Sequence, residues 1–366
     1  MQISSGQHLS FCLNVFALDD LEKIFAVLAN ECQSIKSQVS EKQPMGLGLW
    51  LSAQVADELQ DEEKLKSLQV QLTKFDFYVF TLNIFPYGNF HESPVKEKVY
   101  YPDWGDQKRL DYTCKAAEIL AKLCPDEYGT MSTVPVTFGK ELPLEAVDTI
   151  RQCSQYLQAL ESRTGVKIEL AFEPEPDCYL ETCDEALRFF EELRSQLTKG
   201  EMEYLGVCLD TCHSALQYED PIENLEKYVN AAVKVSKVQI SAAPVIMCGS
   251  DSDKEILRPF AEPVYLHQTR VKDSEGLVTF YKDLPEALLN GDAGEWRCHF
   301  HIPLHFTGNG VLQSTNKDLS RSFFALAQKH CRHFETETYT YFVLPNASES
   351  VSDSISQELM WVKERL

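Results

Sequence analysis

"YLGVCLDTCH", residues 204–213, is the stretch on which the fold turns. An apolar run ends at Leu209, Asp210 closes it, and His213 follows three residues later. The run is too short for a helix and fits a strand buried on both faces, as in a parallel sheet. Asp210 then has two readings: the cap of a following helix, or a carboxylate at the C-terminal end of a strand, where parallel barrels carry their chemistry. The spacing leaves both open. Cys208 and Cys212 form a CxxxC around Asp210, which reads as packing rather than a zinc pair.

The same shape recurs on either side. Strand-like runs stand at 9–16, 45–52, 77–85, 129–138, 167–176, 204–213, 235–243 and 337–344. Between them the apolar spacing predicts helices at 18–40, 53–72, 107–123, 143–163, 182–198, 220–232 and 317–331, with a short last helix at about 352–365. Strands alternating with helices make βα units and a parallel sheet. Eight of them predict a single (β/α)8 TIM barrel over residues 1–366. An open doubly wound sheet would show a Gly-rich turn after an early strand, whereas the glycines of "GLGLWLS" (46–52) lie inside the apolar run.

Two connections exceed ordinary loops. One follows strand three, at about 86–106. The other follows strand seven, at about 244–296, and predicts a small extra strand pair. Both fall on the C-terminal face of the barrel.

The 366 residues are 44% hydrophobic, enough for a large core. Thirty-four basic against 56 acidic residues give a formal charge of −22, which opposes a nucleic-acid partner. Twelve cysteines without a CxxC read as reduced thiols in a cytoplasmic chain. The N-terminus lacks the pattern of a signal peptide, and no apolar run is long enough to span a membrane. The sequon at Asn346 carries no weight in a cytoplasmic chain.

Candidate chemistry gathers at strand ends. In "FEPEP" (172–176), Glu173 and Glu175 share one side of an extended chain. In "FETETYTY" (334–341), Glu335, Glu337, Tyr339 and Tyr341 share parity, and a carboxylate inside a barrel needs a partner. "RCHFHIPLHF" (297–306) holds three of the nine histidines, His299, His301 and His305. It reads as strand-like, and one strand can aim at most two of them at one cation. His267 and His91 are further candidates. Lys96 and Lys98 offer charge to an anionic group. Tyr87, Phe90, Tyr100, Tyr101 and Trp104 offer a cover for an apolar or ring-shaped ligand.

Together the glutamate at strand five, "LDTCH" at strand six and "ET" at strand eight resemble the xylose isomerase-like barrel superfamily of sugar isomerases, epimerases and endonuclease IV-type enzymes. Within it the chain most resembles the metabolite traffic (EboE) family. That resemblance is carried by "HLSFCLNVF", "FTLNIFPYGNFH", "VKEKVYYPDW", "EPEP", "CLDTCH", "KVQISAA", "YLHQ", "HFHIPLH" and "ETYTY", which span nearly the whole length. It implies a divalent metal (Mn, Mg or Zn) held by Glu173, Asp210, His213, His301 and Glu337, with Glu173 and Glu337 as catalytic carboxylates. It places Gln239, His299, His267, Glu175, Asn83, Tyr87 and His91 toward the substrate. Strand seven departs from the pattern, presenting Gln239 where relatives carry histidine; His301, and after it His299, compensates from the insertion.

Three functions follow. The first is a metal-dependent isomerase or epimerase of a sugar-like metabolite. The second is a metal-dependent phosphodiesterase, which the charge disfavours. The third is a non-catalytic metabolite-binding or transport-accessory protein, which Gln239 favours. The resemblance also implies a small-molecule partner and a link to a prenyltransferase-like membrane protein.

Overall fold

The computed structural model describes every residue except Ser5, Glu92, Ser93, Asn346 and Ser348, so the sequon lies outside the described residues. Eight parallel strands form the barrel: β1 (Gln7–Phe11), β2 (Met45–Trp50), β3 (Phe77–Asn83), β4 (Tyr128–Thr133), β5 (Lys167–Phe172), β6 (Leu205–Asp210), β7 (Val235–Ile240) and β8 (His333–Thr336). Neighbours pair in chain order from β2 to β8, and β8 then pairs with β1. A parallel bridge from Cys12 to Gly48 joins the remaining edges, β1 and β2. A short strand, Gln2–Ser4, lies antiparallel on β1. The fold is the expected TIM barrel. Burial of β2 and β6 along their whole length shows why their runs are apolar rather than alternating.

The helices follow their sequence signals closely. The one expected at 107–123 spans Gln107–Leu123, capped by the Asp106 side chain, and turns Leu110, Ala116, Ala117 and Leu120 to the core. Thr182 and Glu185 form a reciprocal capping box that starts Cys183–Gln196. The last helix runs Val351–Lys363.

Three expectations are corrected. β8 is Thr336 and the three residues before it, not 337–344; the alternation in "ETYTYFVL" belongs to a loop over the barrel mouth that ends in a tight turn at Tyr341–Val343. The connection after β7 holds a five-stranded antiparallel sheet rather than a strand pair, and reaches Ser314. Its strands are Pro244–Cys248, Thr269–Lys272, Val278–Tyr281, Gly294–Cys298 and Leu312–Ser314. Finally, "RCHFHIPLHF" is a strand only to Cys298. Beyond it the chain leaves the ladder and crosses the mouth, tied by single bonds from His299 N to Gln268 O (2.8 Å) and Ile302 N to Ala242 O (2.9 Å).

Below the mouth, Glu335 of β8 and Lys237 of β7 form a fully buried ion pair at 2.6 Å, and the Ser10 hydroxyl donates to Glu335 at 3.0 Å. Burial alone would lower the Lys237 pKa, but the Glu335 charge outweighs it and holds the ammonium charged. The pair explains the glycine of β2: a Cβ on Gly48 would stand 1.4 Å from Glu335 Oε2. Gly48→Ala should therefore destabilise the protein by about 3 kcal/mol or more, read as a lower urea midpoint. A midpoint within error of the parent would show that the carboxylate has room to move.

Candidate metal centre

Asp210 does both jobs its position allows. Its Oδ1 accepts from the backbone N–H groups of Cys212 (2.7 Å) and His213 (3.0 Å), capping the helix Thr211–Leu216, and from the Ser241 hydroxyl at 2.7 Å. Its Oδ2 is buried and has no partner among the described residues. Glu173 is the first residue beyond β5, and its Oε2 is likewise buried and unpartnered. Leaving such an atom unpaired costs about 1–3 kcal/mol, so two carboxylates in this state ask for a cation.

Three imidazoles complete the arrangement. His213 comes from the turn after β6, and its Nδ1 donates to Pro174 O at 3.0 Å. His301 Nδ1 donates to Glu337 O at 3.1 Å, and His299 Nδ1 to Gln268 Oε1 at 2.7 Å. With Nδ1 as the donor, each ring leaves the lone pair of Nε2 for a metal, the usual way a protein orients a ligating histidine. The Nε2 atoms of His299 and His301 are buried and unpartnered. Ring centroids lie 4.8 Å (His213–His299), 5.5 Å (His213–His301) and 5.6 Å (His299–His301) apart.

Two sets of three ligand atoms, Glu173–Asp210–His213 and His213–His299–His301, each fall within 4.8 Å of one another, and His213 belongs to both. Asp210, Cys212 and His301 form a third set, in which burial and then the Asp210 charge push the Cys212 thiol far above its ordinary pKa in the metal-free chain. Two carboxylates and three imidazoles are a chemically sound donor set for a first-row divalent ion. Three of these donors, Asp210, His213 and Glu173, come from barrel strand ends; His299 and His301 come from the insertion.

Glu337 stands in none of these sets. Its Oε1 accepts from Asn14 Nδ2 (2.6 Å) and Asn83 Nδ2 (3.2 Å), and its Oε2 lies 3.6 Å from His301 Nδ1. Glu175 accepts from the Tyr100 hydroxyl at 2.8 Å. Glu173, Glu175, Glu337, His213, His299 and Asn83 all line one cavity of about 560 Å³, counting its open mouth. Its upper wall is aromatic, with Tyr265 and Tyr339 centroids 5.1 Å apart and Phe90 at 6.2 and 6.3 Å from them.

Other candidates are placed elsewhere. His267 is fully buried with both nitrogens engaged, by His299 O (2.9 Å) and Glu262 (2.7 Å), so it braces the His299 segment instead of lining the cavity. His91 is spent on Tyr265 and Asn14 O, both at 2.7 Å, and Tyr87 packs on Tyr112 behind the wall. Lys96 lines the cavity, but its ammonium is held by Asp283, so it is not free for an anion. His305 pairs with Glu349 at 2.9 Å. Trp104 is buried against Thr133, and Tyr101 is exposed. Gln239 pairs in register with Asp210, and both polar atoms of its buried amide lack partners. Asn14, Ser241 and Gln268 escaped the sequence reading. The neighbours of Gln268 drew the attention, and a lone polar residue after a strand gives little signal.

The electrostatics of these groups suit a cation ligand set. Burial first, then the charges of Glu337 and Asp210, push the Glu173 carboxyl well above its ordinary value. Burial also raises Glu337, against the opposing pull of His301, and lifts Glu175 to about 8. For Asp210 burial is outweighed by His213, His301 and the bonds to its Oδ1, leaving it below its ordinary value. Burial takes His213 down to about 4, so it is a neutral ligand at pH 7. A carboxyl raised in the folded state stabilises below its unfolded pKa and loses that contribution as pH rises through the folded value. The metal-free protein should thus lose stability between about pH 4.5 and about 8, the interval set by Glu175. A metal displaces the proton that burial keeps on its ligand Glu173, so its stabilising effect should grow as pH rises. Thermal melts with and without Mn²⁺ at pH 5 and pH 8 check this; a metal-induced shift no larger at pH 8 would contradict it.

No family model matches this sequence, and no curated protein matches it. Solved structures do. A xylose isomerase-like TIM barrel protein from Mycobacterium smegmatis, in complex with magnesium, aligns over 100% of this chain and 98% of its own, with TM-score 0.57 and 10% identity. D-allulose 3-epimerase from Methylomonas sp., in complex with D-allulose, aligns over 100% and 99%, with TM-score 0.51 and 13% identity. A xylose isomerase domain protein from Planctomyces limnophilus aligns over 98% and 96%, with TM-score 0.50 and 12% identity. At such identities the likeness is one of fold, and the fold of this chain is that of the xylose isomerase-like TIM barrels.

Proposed function

We propose that this protein holds one divalent cation through Glu173, Asp210, His213, His299 and His301 and isomerises or epimerises a small metabolite with neighbouring oxygen atoms. The carrying observation is the set of buried, unpartnered atoms on Glu173, Asp210, His299 and His301, whose residues belong to overlapping ligand triads linked through His213, Asp210 and His301. An imidazole-rich set suits Zn²⁺ or Mn²⁺ better than Mg²⁺. Bound there, a cation would polarise the adjacent oxygens of a substrate. Glu337 would then be the proton carrier: it lines the cavity, and Asn14 and Asn83 hold one oxygen and leave the other toward it. Glu173 would share that work as a metal ligand lining the same cavity.

The twelve free cysteines suit the cytoplasm, and no helix among the described residues is long and apolar enough to cross a membrane. The sequence resemblance to the metabolite traffic (EboE) family supports a place in such a system, beside a prenyltransferase-like membrane protein. A second reading, a barrel that binds the metabolite without turning it over, is favoured by Gln239, whose amide gives the site a weaker donor than histidine.

Solvent deuterium separates the two. Metal-loaded protein incubated in D₂O with a panel of α-hydroxy carbonyl compounds, D-allulose and 2-hydroxyacetophenone among them, should place deuterium on the carbon next to the carbonyl. Glu337→Gln should slow this at least about 100-fold. Binding without exchange across the panel would favour the accessory protein.

A further inference from the structure

Among the described residues, the buried hydrogen-bonding atoms left without a partner on the lining of this cavity belong to the candidate metal ligands and Asn14. Asn14 Oδ1, Glu173 Oε2 and the Nε2 atoms of His299 and His301 are all unpartnered at the metal end. Toward the mouth most polar side chains already have a partner. The Lys96 ammonium is bound by Asp283 and by Tyr265 O at 3.2 Å, the Tyr265 hydroxyl by His91 at 2.7 Å, and the Tyr100 hydroxyl by Glu175 at 2.8 Å. The surface between them is Phe85, Phe90, Val95, Val99, Leu266 and the ring of Tyr339.

This wall is also fixed in place. The loop after β3 and the sheet after β7 meet over the cavity, through Val95 N to Val264 O at 3.0 Å and through the Lys96–Asp283 and Lys282–Glu97 ion pairs. The apolar surface is therefore drawn from two insertions that bond to one another, with Tyr339 added by the loop after β8.

A free sugar carries a hydroxyl on nearly every carbon. Seated with its reacting end at the metal ligands, it would bury its far hydroxyls against a wall with few partners for them, the Tyr339 phenol and one Lys96 N–H among them. Each buried hydroxyl left unpaired costs roughly tenfold in affinity. An apolar body in the same place gains from burial.

We propose that the ligand of this cavity has two adjacent oxygen atoms at one end and an apolar or aromatic body at the other, and is not a free sugar. The proposal rests on the metal reading above, for the oxygen-bearing end alone.

Acetohydroxamate and benzohydroxamate carry the same chelating head and differ in the body. Calorimetric titration of Mn²⁺-loaded protein should show benzohydroxamate binding about tenfold tighter or more, with D-allulose weaker than both. Val99→Asp, a half-buried wall position, should erase the preference while metal content stays unchanged. Equal binding of the two hydroxamates, or D-allulose binding tightest, would overturn the proposal. If the variant does not fold, the wild-type comparison decides alone. If the protein retains no metal and neither hydroxamate binds, the metal reading fails. Benzyl alcohol against glycerol, which need no metal, then tests the wall: tighter benzyl alcohol sustains the apolar body, and equal binding overturns it.

Discussion

Asp210→Asn is expected to fold normally and to lose its metal. The two halves of this result come from the two oxygens of one side chain. Oδ1 caps the Thr211–Leu216 helix by accepting from Cys212 N and His213 N, and an asparagine carbonyl in the same place caps as well. Oδ2 is the unpartnered atom, and in the variant an amide NH₂ stands there, which repels a cation. Metal affinity should fall more than about 100-fold, since even a change behind a ligand costs 10–100-fold. The melting temperature of the metal-free protein should stay close to the parent's. Glu173→Gln should behave alike, because its Oε2 is also free. Elemental analysis after dialysis, paired with metal-free melts, checks both variants. Retained metal in either would mean the cation is held elsewhere.

The second large effect lies below the site. Lys237→Met should destabilise the protein by about 3–5 kcal/mol, because it strands the Glu335 carboxylate in a dry barrel with only Ser10 to bond it. The cost is that of an uncompensated charge, not the worth of the pair. Adding Glu335→Gln should therefore recover most of the loss, the new amide keeping a bond to Ser10. Urea unfolding of the parent and both variants gives the numbers. A double variant as unstable as Lys237→Met alone would mean that Lys237 acts by packing instead. With Glu335 mobile, the space taken up beside Gly48 would also change.

These two residues show what the sequence made legible. The barrel could be read because buried parallel strands, such as "LGVCLD", are apolar without alternation, and most are followed by a helix with a side-chain cap. Asp210, Glu173 and His213 could be read for the same reason: they end such strands, where position alone carries meaning. His299 and His301 could be suspected by their density. Their route into the site could not, since it depends on a chain that leaves its ladder at Cys298 and is held by one bond at a time. The extra sheet was underestimated because its strands are only three to five residues long, Val278–Tyr281 and Leu312–Ser314 among them, and short runs carry little period. β8 was displaced into "ETYTY" because an alternating loop over a barrel mouth mimics a strand. His267 and His91 looked like site residues, but the pattern of a sequence does not tell an imidazole with a free nitrogen from one with two partners.

One measurement bears most directly on the central claim: the metal content of the purified wild-type protein, by elemental analysis, after loading with Mn²⁺ or Zn²⁺ and exhaustive dialysis. Convergent unpartnered atoms on Glu173, Asp210, His299 and His301 predict one divalent ion per chain, lost in Asp210→Asn. A folded wild-type chain that retains none would contradict the metal centre and the chemistry built on it.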